Sequence, residues 1–185
     1  MPLYTRRGDQ GETDVIGGRL SKDHPRIEVL GVLDELNAVL GLVISTCPDR
    51  QIVALLRPLQ RDLFTLGAAC AVVPPHKSPI SLSRSVVNRL EKTIDRLTAE
   101  APPPNRFVLP GGSLAAAFTH LARAVCRRAE RSLVRLSRTD RVDPLIIQYL
   151  NRLSDLLFAV ALLLNKRTGT PETFWEGARR RAVKK

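Results

Sequence analysis

The stretch Pro25-Arg26-Ile27-Glu28-Val29-Leu30-Gly31-Val32-Leu33-Asp34-Glu35-Leu36-Asn37-Ala38-Val39-Leu40-Gly41-Leu42-Val43 decides the fold. Ile27, Leu30, Leu33, Leu36, Leu40 and Val43 recur every three or four residues, the period of a helix that turns one face to a core. The spacing predicts a first helix of roughly twenty residues. The same period returns downstream. Asp49 can cap a second helix carrying Ile52, Leu55, Leu56, Leu59, Leu63 and Leu66, ending before Pro74-Pro75. Pro58 inside it predicts a kink or a late start, because proline removes a helical hydrogen bond. A third helix is expected from Ser83 to Glu100, with Val86, Val87, Leu90, Ile94 and Leu97 on one face, and Ala101-Pro102-Pro103-Pro104-Asn105 breaks it. Ser113 can cap a fourth helix reaching Ser137. Asp143-Pro144 opens a fifth, which runs to Lys166.

Five amphipathic helices with short connections and no convincing strand argue for an all-α fold, a five-helix antiparallel bundle. Residues 1–25 differ. Gly8, Gly11, Gly17 and Gly18 lie among polar residues with no apolar period, so a loop is expected there. The chain thus divides into an N-terminal loop (1–25), a helical bundle (26–166) and a basic tail (167–185) that ends Arg179-Arg180-Arg181-Ala182-Val183-Lys184-Lys185.

Composition limits the alternatives. The 44% hydrophobic fraction supports a core, and with only 4% aromatics Leu, Val, Ile and Ala must fill it, which favours helices over a β-sandwich. The N-terminus turns polar where a signal peptide would become apolar, and the longest apolar run, Leu156 to Leu164, is too short to span a bilayer. A cytoplasmic protein without a membrane partner is expected. Cys47, Cys70 and Cys126 are scattered, with no CxxC spacing, and read as reduced thiols rather than a disulfide or zinc framework. The net charge of +11 fits either nucleic acid or a small polyanion such as a nucleoside triphosphate. Charge alone does not choose between them.

Three groups of polar residues stand out against this pattern. Asp34, with Asn37, projects beside Leu30, Leu33 and Gly41 on the stripe expected to face a core, where a carboxylate needs a cation or several donors. Arg123-Ala124-Val125-Cys126-Arg127-Arg128-Ala129-Glu130-Arg131 aligns Arg123, Arg127 and Glu130 on one helical face. Guanidinium groups on successive turns suit phosphate oxygens; the competing reading is a salt-bridged solvent face. Asn151 and Asp155 lie one turn apart, opposite Leu150, Leu153, Leu157, Val160 and Leu164, and an amide that both donates and accepts can read a ribose or base. The N-terminal glycines match neither GxxxxGK[ST] nor GxGxxG, so a nucleotide held here would lie in a nest of backbone amides over Thr5 to Asp9, with Arg6, Arg7, Arg19 and Lys22 adding charge. His24, His76 and His120 share no ligand-like spacing.

Three separated segments together resemble the PduO-type cobalamin adenosyltransferases. They are Tyr4-Thr5-Arg6-Arg7-Gly8-Asp9-Gln10-Gly11-Glu12-Thr13 with Ser21-Lys22-Asp23 and Leu33-Asp34-Glu35-Leu36-Asn37; Phe107-Val108-Leu109-Pro110-Gly111-Gly112 running into the arginine-rich segment; and Tyr149-Leu150-Asn151-Arg152-Leu153-Ser154-Asp155. The resemblance implies a five-helix bundle assembled as a homotrimer, with active sites at subunit interfaces. It implies that Thr5, Arg6, Arg7, Gly8, Thr13, Asp14 and Lys22 surround ATP from one subunit, and that Arg127, Arg128, Ala129, Glu130, Arg131 and Asn151 do so from its neighbour. Arg6 stands where many members have Lys. Mg²⁺ would bridge phosphate oxygens, with no all-protein metal site. Asp34 would pair with Arg123 across the interface, and Phe107 would cover the lower face of the corrin, keeping its lower ligand off the cobalt of cob(II)alamin. The implied reaction is attack of cob(I)alamin on C5′ of ATP, with triphosphate leaving, helped by Arg127 and Lys22. A corrinoid reductase and an adenosylcobalamin-dependent enzyme are implied partners. Two rival readings are a non-catalytic cobalamin carrier on the same fold and a basic helical nucleic-acid-binding protein.

Overall fold

The computed structural model describes residues 4–76, 78, 80 and 82–176. Two strands, β1 (Glu12–Val15) and β2 (Gly18–Ser21), precede five helices: α1 (Pro25–Thr46), α2 (Arg50–Cys70), α3 (Arg84–Glu100), α4 (Leu114–Leu136) and α5 (Pro144–Arg167). Each helix begins at a side chain that accepts a hydrogen bond from a first-turn amide: His24, Asp49, Ser83, Ser113 and Asp143. α2 is continuous through Pro58 from Arg50, so the late start is excluded. Side-chain bridges give the directions. Arg26 at the start of α1 meets Cys70 at the end of α2 and Asp140 just past α4, and Asn165 near the end of α5 meets Ser113 at the start of α4; α3 and α5 run parallel through Arg84–Gln148, Glu91–Arg152 and Glu100–Arg167, so consecutive helices alternate.

The core is built from Leu, Val and Ala of all five helices. α5 is long and apolar enough by composition to cross a bilayer, yet its apolar surface is mostly enclosed by the bundle. Tyr149, fully buried, donates its hydroxyl to Asp62 at 3.0 Å, which supplies the partner a buried phenol needs.

One end of the bundle carries the N-terminal segment. Residues 1–25 hold an antiparallel hairpin pairing Glu12 with Ser21 and Val15 with Gly18, where sequence predicted only a loop. Half-buried Thr13 and Val15 alternate with exposed Glu12 and Asp14, a period-2 signal too short to outweigh the surrounding glycines. Gly17 turns the hairpin at φ +99°, and a Cβ there would lie 2.5 Å from His76. Ile16 joins the turn to the end of α2, donating to the Ala71 carbonyl (3.2 Å) and accepting from the Val73 amide (3.0 Å). Beneath it Arg26, almost fully buried, donates to the Cys70 carbonyl and pairs with Asp140.

The opposite end carries the α3–α4 connection. Asn165 accepts from the Ser113 amide (2.9 Å) and donates to the Gly111 carbonyl (3.3 Å) and to Glu172 (3.0 Å). Gly112, at φ +99°, makes this approach possible, since a Cβ would sit 2.2 Å from the Asn165 amide oxygen. The segment following α5 is not a separate basic tail from its start. Thr173 and Trp175 pair with Leu109 and Phe107 through backbone bonds of 2.8 and 2.9 Å. The basic stretch Arg179 to Lys185 lies outside the described residues.

Candidate active site

The arginine-rich half of α4 forms one wall of a groove of about 480 Å³, lined by Arg127, Glu130, Arg131, Val134, Arg135, Arg138 and Asn151. Asn151 donates to Glu130 at 3.0 Å and accepts from Arg152 at 2.7 Å, and Arg152 in turn holds Glu91 at 2.8 Å. This chain of bonds ties α3, α4 and α5 together and fixes the Glu130 carboxylate and the Asn151 amide in the groove. Burial pushes the Asp155 carboxyl above its ordinary range, against the pull of Arg152 and Arg127. Arg127, Arg131, Arg135 and Arg138 pair with no carboxylate among the described residues. Four unneutralised guanidinium groups beside one fixed acid–amide pair make a site for a polyanion carrying hydroxyl groups. Arg128 points elsewhere, into an ion pair with Glu35 of α1, and Ala129 is buried in the core.

Asp34 does not lie on the core stripe. The buried face of α1 is centred on Val29, Leu33, Leu36 and Leu40, and Asp34 falls on the exposed side with Gly31 and Ala38. The apolar residues that share its flank, Leu30 and Gly41, are only half-buried, which is why the projection misplaced it. Asp34 makes no hydrogen bond or ion pair among the described residues. Asn37 is buried: it donates weakly to the Gln60 carbonyl (3.4 Å), its own carbonyl accepts from Gln60 (3.2 Å), and its amide oxygen has no partner. Arg123 lies over the Phe158 ring at 5.9 Å, with its Nε buried and without a partner. Burial, then the nearby Arg127, lowers its pKa. The ring of buried His120 tilts against the same Phe158 at 6.0 Å.

The N-terminal segment brings most of its expected residues together. Lys22 donates its Nζ to the Gly8 carbonyl at 2.8 Å and its amide to the Gly11 carbonyl at 2.7 Å, so residues 8–11 curl over β2. Asp14 is held by Arg7 (3.0 Å) and Arg19 (3.2 Å), and Arg19 also donates to the Arg7 carbonyl (2.7 Å). Asp14 and Arg19 therefore brace the loop in this chain. Arg6 adopts φ +62°, an uncommon left-handed conformation for a non-glycine residue, beside the ring of Tyr4. Thr5, Arg6 and Arg7 are exposed on its outer side, and Thr13 is half-buried on β1. Among the described residues of one chain, no hydrogen bond joins this loop to Arg127, Glu130, Arg131 or Asn151.

Phe107 stands at the far end of the bundle, 78% exposed, on a loop pinned by Leu109 and by its own carbonyl. Its ring meets the edge of Trp175 at 6.1 Å, and Arg106 covers the Phe174 ring at 4.6 Å. Together with the largely exposed Trp175, Phe107 presents an apolar surface at this end of the bundle.

Comparison with known proteins gives the chain a family. Residues 3–164 match the sequence profile of the family described as cobalamin adenosyltransferase. The chain belongs to that family. It is 41% identical over 180 residues to the corrinoid adenosyltransferase of Bacillus subtilis, covering 95% of this chain and 93% of that one. It is 43% identical over 164 residues to the corrinoid adenosyltransferase PduO of Salmonella typhimurium, covering 87% of this chain and 49% of the longer relative. A variant PduO-type ATP:corrinoid adenosyltransferase from Lactobacillus reuteri, solved in complex with cobalamin and ATP, superposes with a TM-score of 0.89 at 32% identity, over 95% of this chain and 99% of that one. The family's five-helix bundle is the fold seen here.

Several residues that shape the groove and the Phe107 loop gave little or no signal in the sequence. Glu91 carried no signal, and Arg152 stood out only within the Tyr149–Asp155 segment; together they orient Asn151. Arg135 and Arg138 lay one and two turns past the arginine cluster and were readable from the same helical spacing. Trp175 gave no signal, since its link to Phe107 is made only by tertiary pairing.

Proposed function

We propose that this chain transfers the 5′-deoxyadenosyl group of ATP to the cobalt of cob(I)alamin, releasing triphosphate. The observation that carries the reading is the pairing of a nucleotide-competent groove on α4 and α5 with an exposed phenylalanine on a pinned loop, in a chain of this family. The corrinoid supplies the nucleophile, so the site needs no general base. The chain's own task is to hold C5′ in line and to stabilise charge on the leaving triphosphate. Arg127 and Lys22 carry the charges for that, and the Glu130–Asn151 pair offers one acceptor and one amide to the nucleoside. Mg²⁺ would arrive on the phosphate oxygens and share their charge. Phe107 would lie against the lower face of the corrin, excluding water and offering no ligand. A corrinoid reductase would supply cob(I)alamin and an adenosylcobalamin-dependent enzyme would take the product.

We further propose that each site is shared between copies in a homotrimer. Within one chain the N-terminal loop and Phe107 lie at opposite ends of α4, whose 23 residues span about 35 Å. No single copy can bring both to one C5′–cobalt axis. The exposed Ala38 and Leu42 of α1, with Leu121 and Ala124 of α4, give a surface on which a second copy can pack. Asp34 without a partner and Arg123 with an orphaned Nε are complementary across such a contact.

Anaerobic incubation with ATP and cob(I)alamin tests the activity: adenosylated corrinoid and triphosphate should form in equal amounts, and tight corrinoid binding without turnover would leave only a carrier. Mixing the inactive variants Lys22→Ala and Arg127→Ala after dissociation and reassembly tests the sharing. Mixed oligomers should regain activity if the two residues act from different copies, and stay inactive if both act from one.

A further inference from the structure

We infer that Arg135 and Arg138 belong to the same groove as phosphate-binding residues, carrying the far phosphates of the nucleotide and the triphosphate after it leaves. The inference rests on the proposed adenosyl transfer. Arg127, Arg131 and Arg135 follow at intervals of four residues, so they rise along one side of α4, and Arg138 stands in the turn just past its end. At 100° per residue, Arg127 and Arg131 lie within about 40° of one another, and Arg135 within about 80°. The three on the helix extend over eight residues, about 12 Å. Glu130 turns to the other edge of this line, toward α5, where it meets Asn151. The groove therefore separates into a hydroxyl-reading edge and a cationic rail.

The direction of the rail follows from the fold. α4 begins at the end of the bundle that carries Phe107 and descends past Arg127 to Arg138 at the other end. If the corrin rests on Phe107, the reacting C5′ faces that end, and in-line displacement sends the leaving group the opposite way. That path runs from Arg127 along Arg131 to Arg135 and Arg138. Arg135 also occupies the last turn of α4, where a cation favours the helix C-terminus. Helix stability alone, however, asks nothing of Arg138 beyond the helix, nor of the empty volume between these side chains.

Calorimetric titration of the full chain with inorganic tripolyphosphate and, separately, with AMP tests the inference. In Arg135→Gln/Arg138→Gln, two exposed guanidinium contacts are lost. Tripolyphosphate should bind about 5- to 20-fold more weakly, while AMP affinity changes by less than about twofold. Lys92→Gln/Arg96→Gln, on the outer face of α3, removes the same net charge and should leave both affinities unchanged. Unchanged tripolyphosphate binding in the α4 variant overturns the inference, as does equal weakening of AMP, or an equal loss in the α3 control. Turnover by the wild-type chain separates the two failures. A wild type that adenosylates cob(I)alamin while the α4 variant binds normally sinks only the rail; a wild type with no turnover sinks the reaction on which it rests.

Discussion

Replacing Phe107 by alanine separates a contact made with substrate from one made with the fold. About a fifth of the side chain is covered in this chain, on the order of 40 Å² if full enclosure hides about 200 Å². At about 25 cal/mol per Å² that burial is worth about 1 kcal/mol. The edge contact with Trp175 adds about 0.5–1 kcal/mol. Phe107→Ala should therefore lower Tm by only about 4–6 °C, against the 3–5 kcal/mol lost when a buried Phe is truncated. The uncovered part, roughly 160 Å², is worth up to about 4 kcal/mol if a corrin face covers it. Corrinoid binding should thus weaken for cobalamin and cobinamide alike, and ATP binding should not. The lower ligand adds a second effect that only cobalamin shows. Starting from cob(II)alamin, kcat should fall at least about tenfold more than with cobinamide, which has no such ligand to displace, equivalent to at least about 1.4 kcal/mol. The assay is anaerobic turnover of both corrinoids by wild type and variant, with melting curves alongside. Equal loss of kcat on both, or a Tm drop of more than about 10 °C, would remove Phe107 from the chemistry and return it to packing.

Three other substitutions probe the remaining parts. Arg127→Lys keeps the charge but loses the planar fork, and should lower turnover by about 10²–10³ with Tm changed by less than about 2 °C; near-normal turnover would assign Arg127 to the solvent face. Asp34→Arg should convert the oligomer to monomer in sedimentation velocity without unfolding it, because Asp34 has no partner within its own described chain; a persistent trimer refutes the Asp34–Arg123 contact. Asp140→Asn strips the partner from almost fully buried Arg26 and should cost about 3 kcal/mol at neutral pH. Burial pushes the Asp140 carboxyl up, but the bond from Arg26 outweighs it and holds the pKa below the usual range. The stabilisation is therefore present above the unfolded pKa of about 4 and lost as pH falls through the lower folded value, so the gap between wild type and variant should close once the pH falls below the folded carboxyl's lowered range. A gap that persists there would refute the ionic account.

The helices were legible because each repeats its apolar period over several turns and starts at a recognisable cap. Asp49, Ser83, Ser113 and Asp143 all cap as their residue types suggest. The hairpin was not legible. Glu12-Thr13-Asp14-Val15 alternates over only four residues, and much of what holds it is tertiary, through Ile16 to Ala71 and Val73. Asp34 was misplaced because α1 carries apolar residues around most of its circumference. Leu30 and Leu42 sit half-buried or exposed, so the sequence drew a wider stripe than the core covers. Within the site, the arginines were visible as residues but their states were not. Arg128 and Arg127 are neighbours in sequence, yet one is neutralised by Glu35 and the other stays open to the groove.

That division explains why the α4 motif reads as a solvent face when taken alone. On an ordinary exposed helix, cations drift toward whatever carboxylates are near, as Arg128 does toward Glu35 of α1. Among the described residues, Arg127, Arg131, Arg135 and Arg138 pair with no carboxylate although Glu130 sits among them, because Glu130 is already engaged by Asn151, and Asn151 is held by Arg152, which Glu91 fixes in turn. The network keeps the one nearby acid from neutralising the rail. Breaking it at Glu91 should release Arg152, loosen Asn151 and let Glu130 swing onto Arg127 or Arg131. Glu91→Gln is accordingly expected to weaken ATP binding although Glu91 lines no part of the groove, with part of the loss regained when Glu130→Gln is added. A double variant no better than Glu91→Gln alone would show that the network orders Asn151 without guarding the arginines.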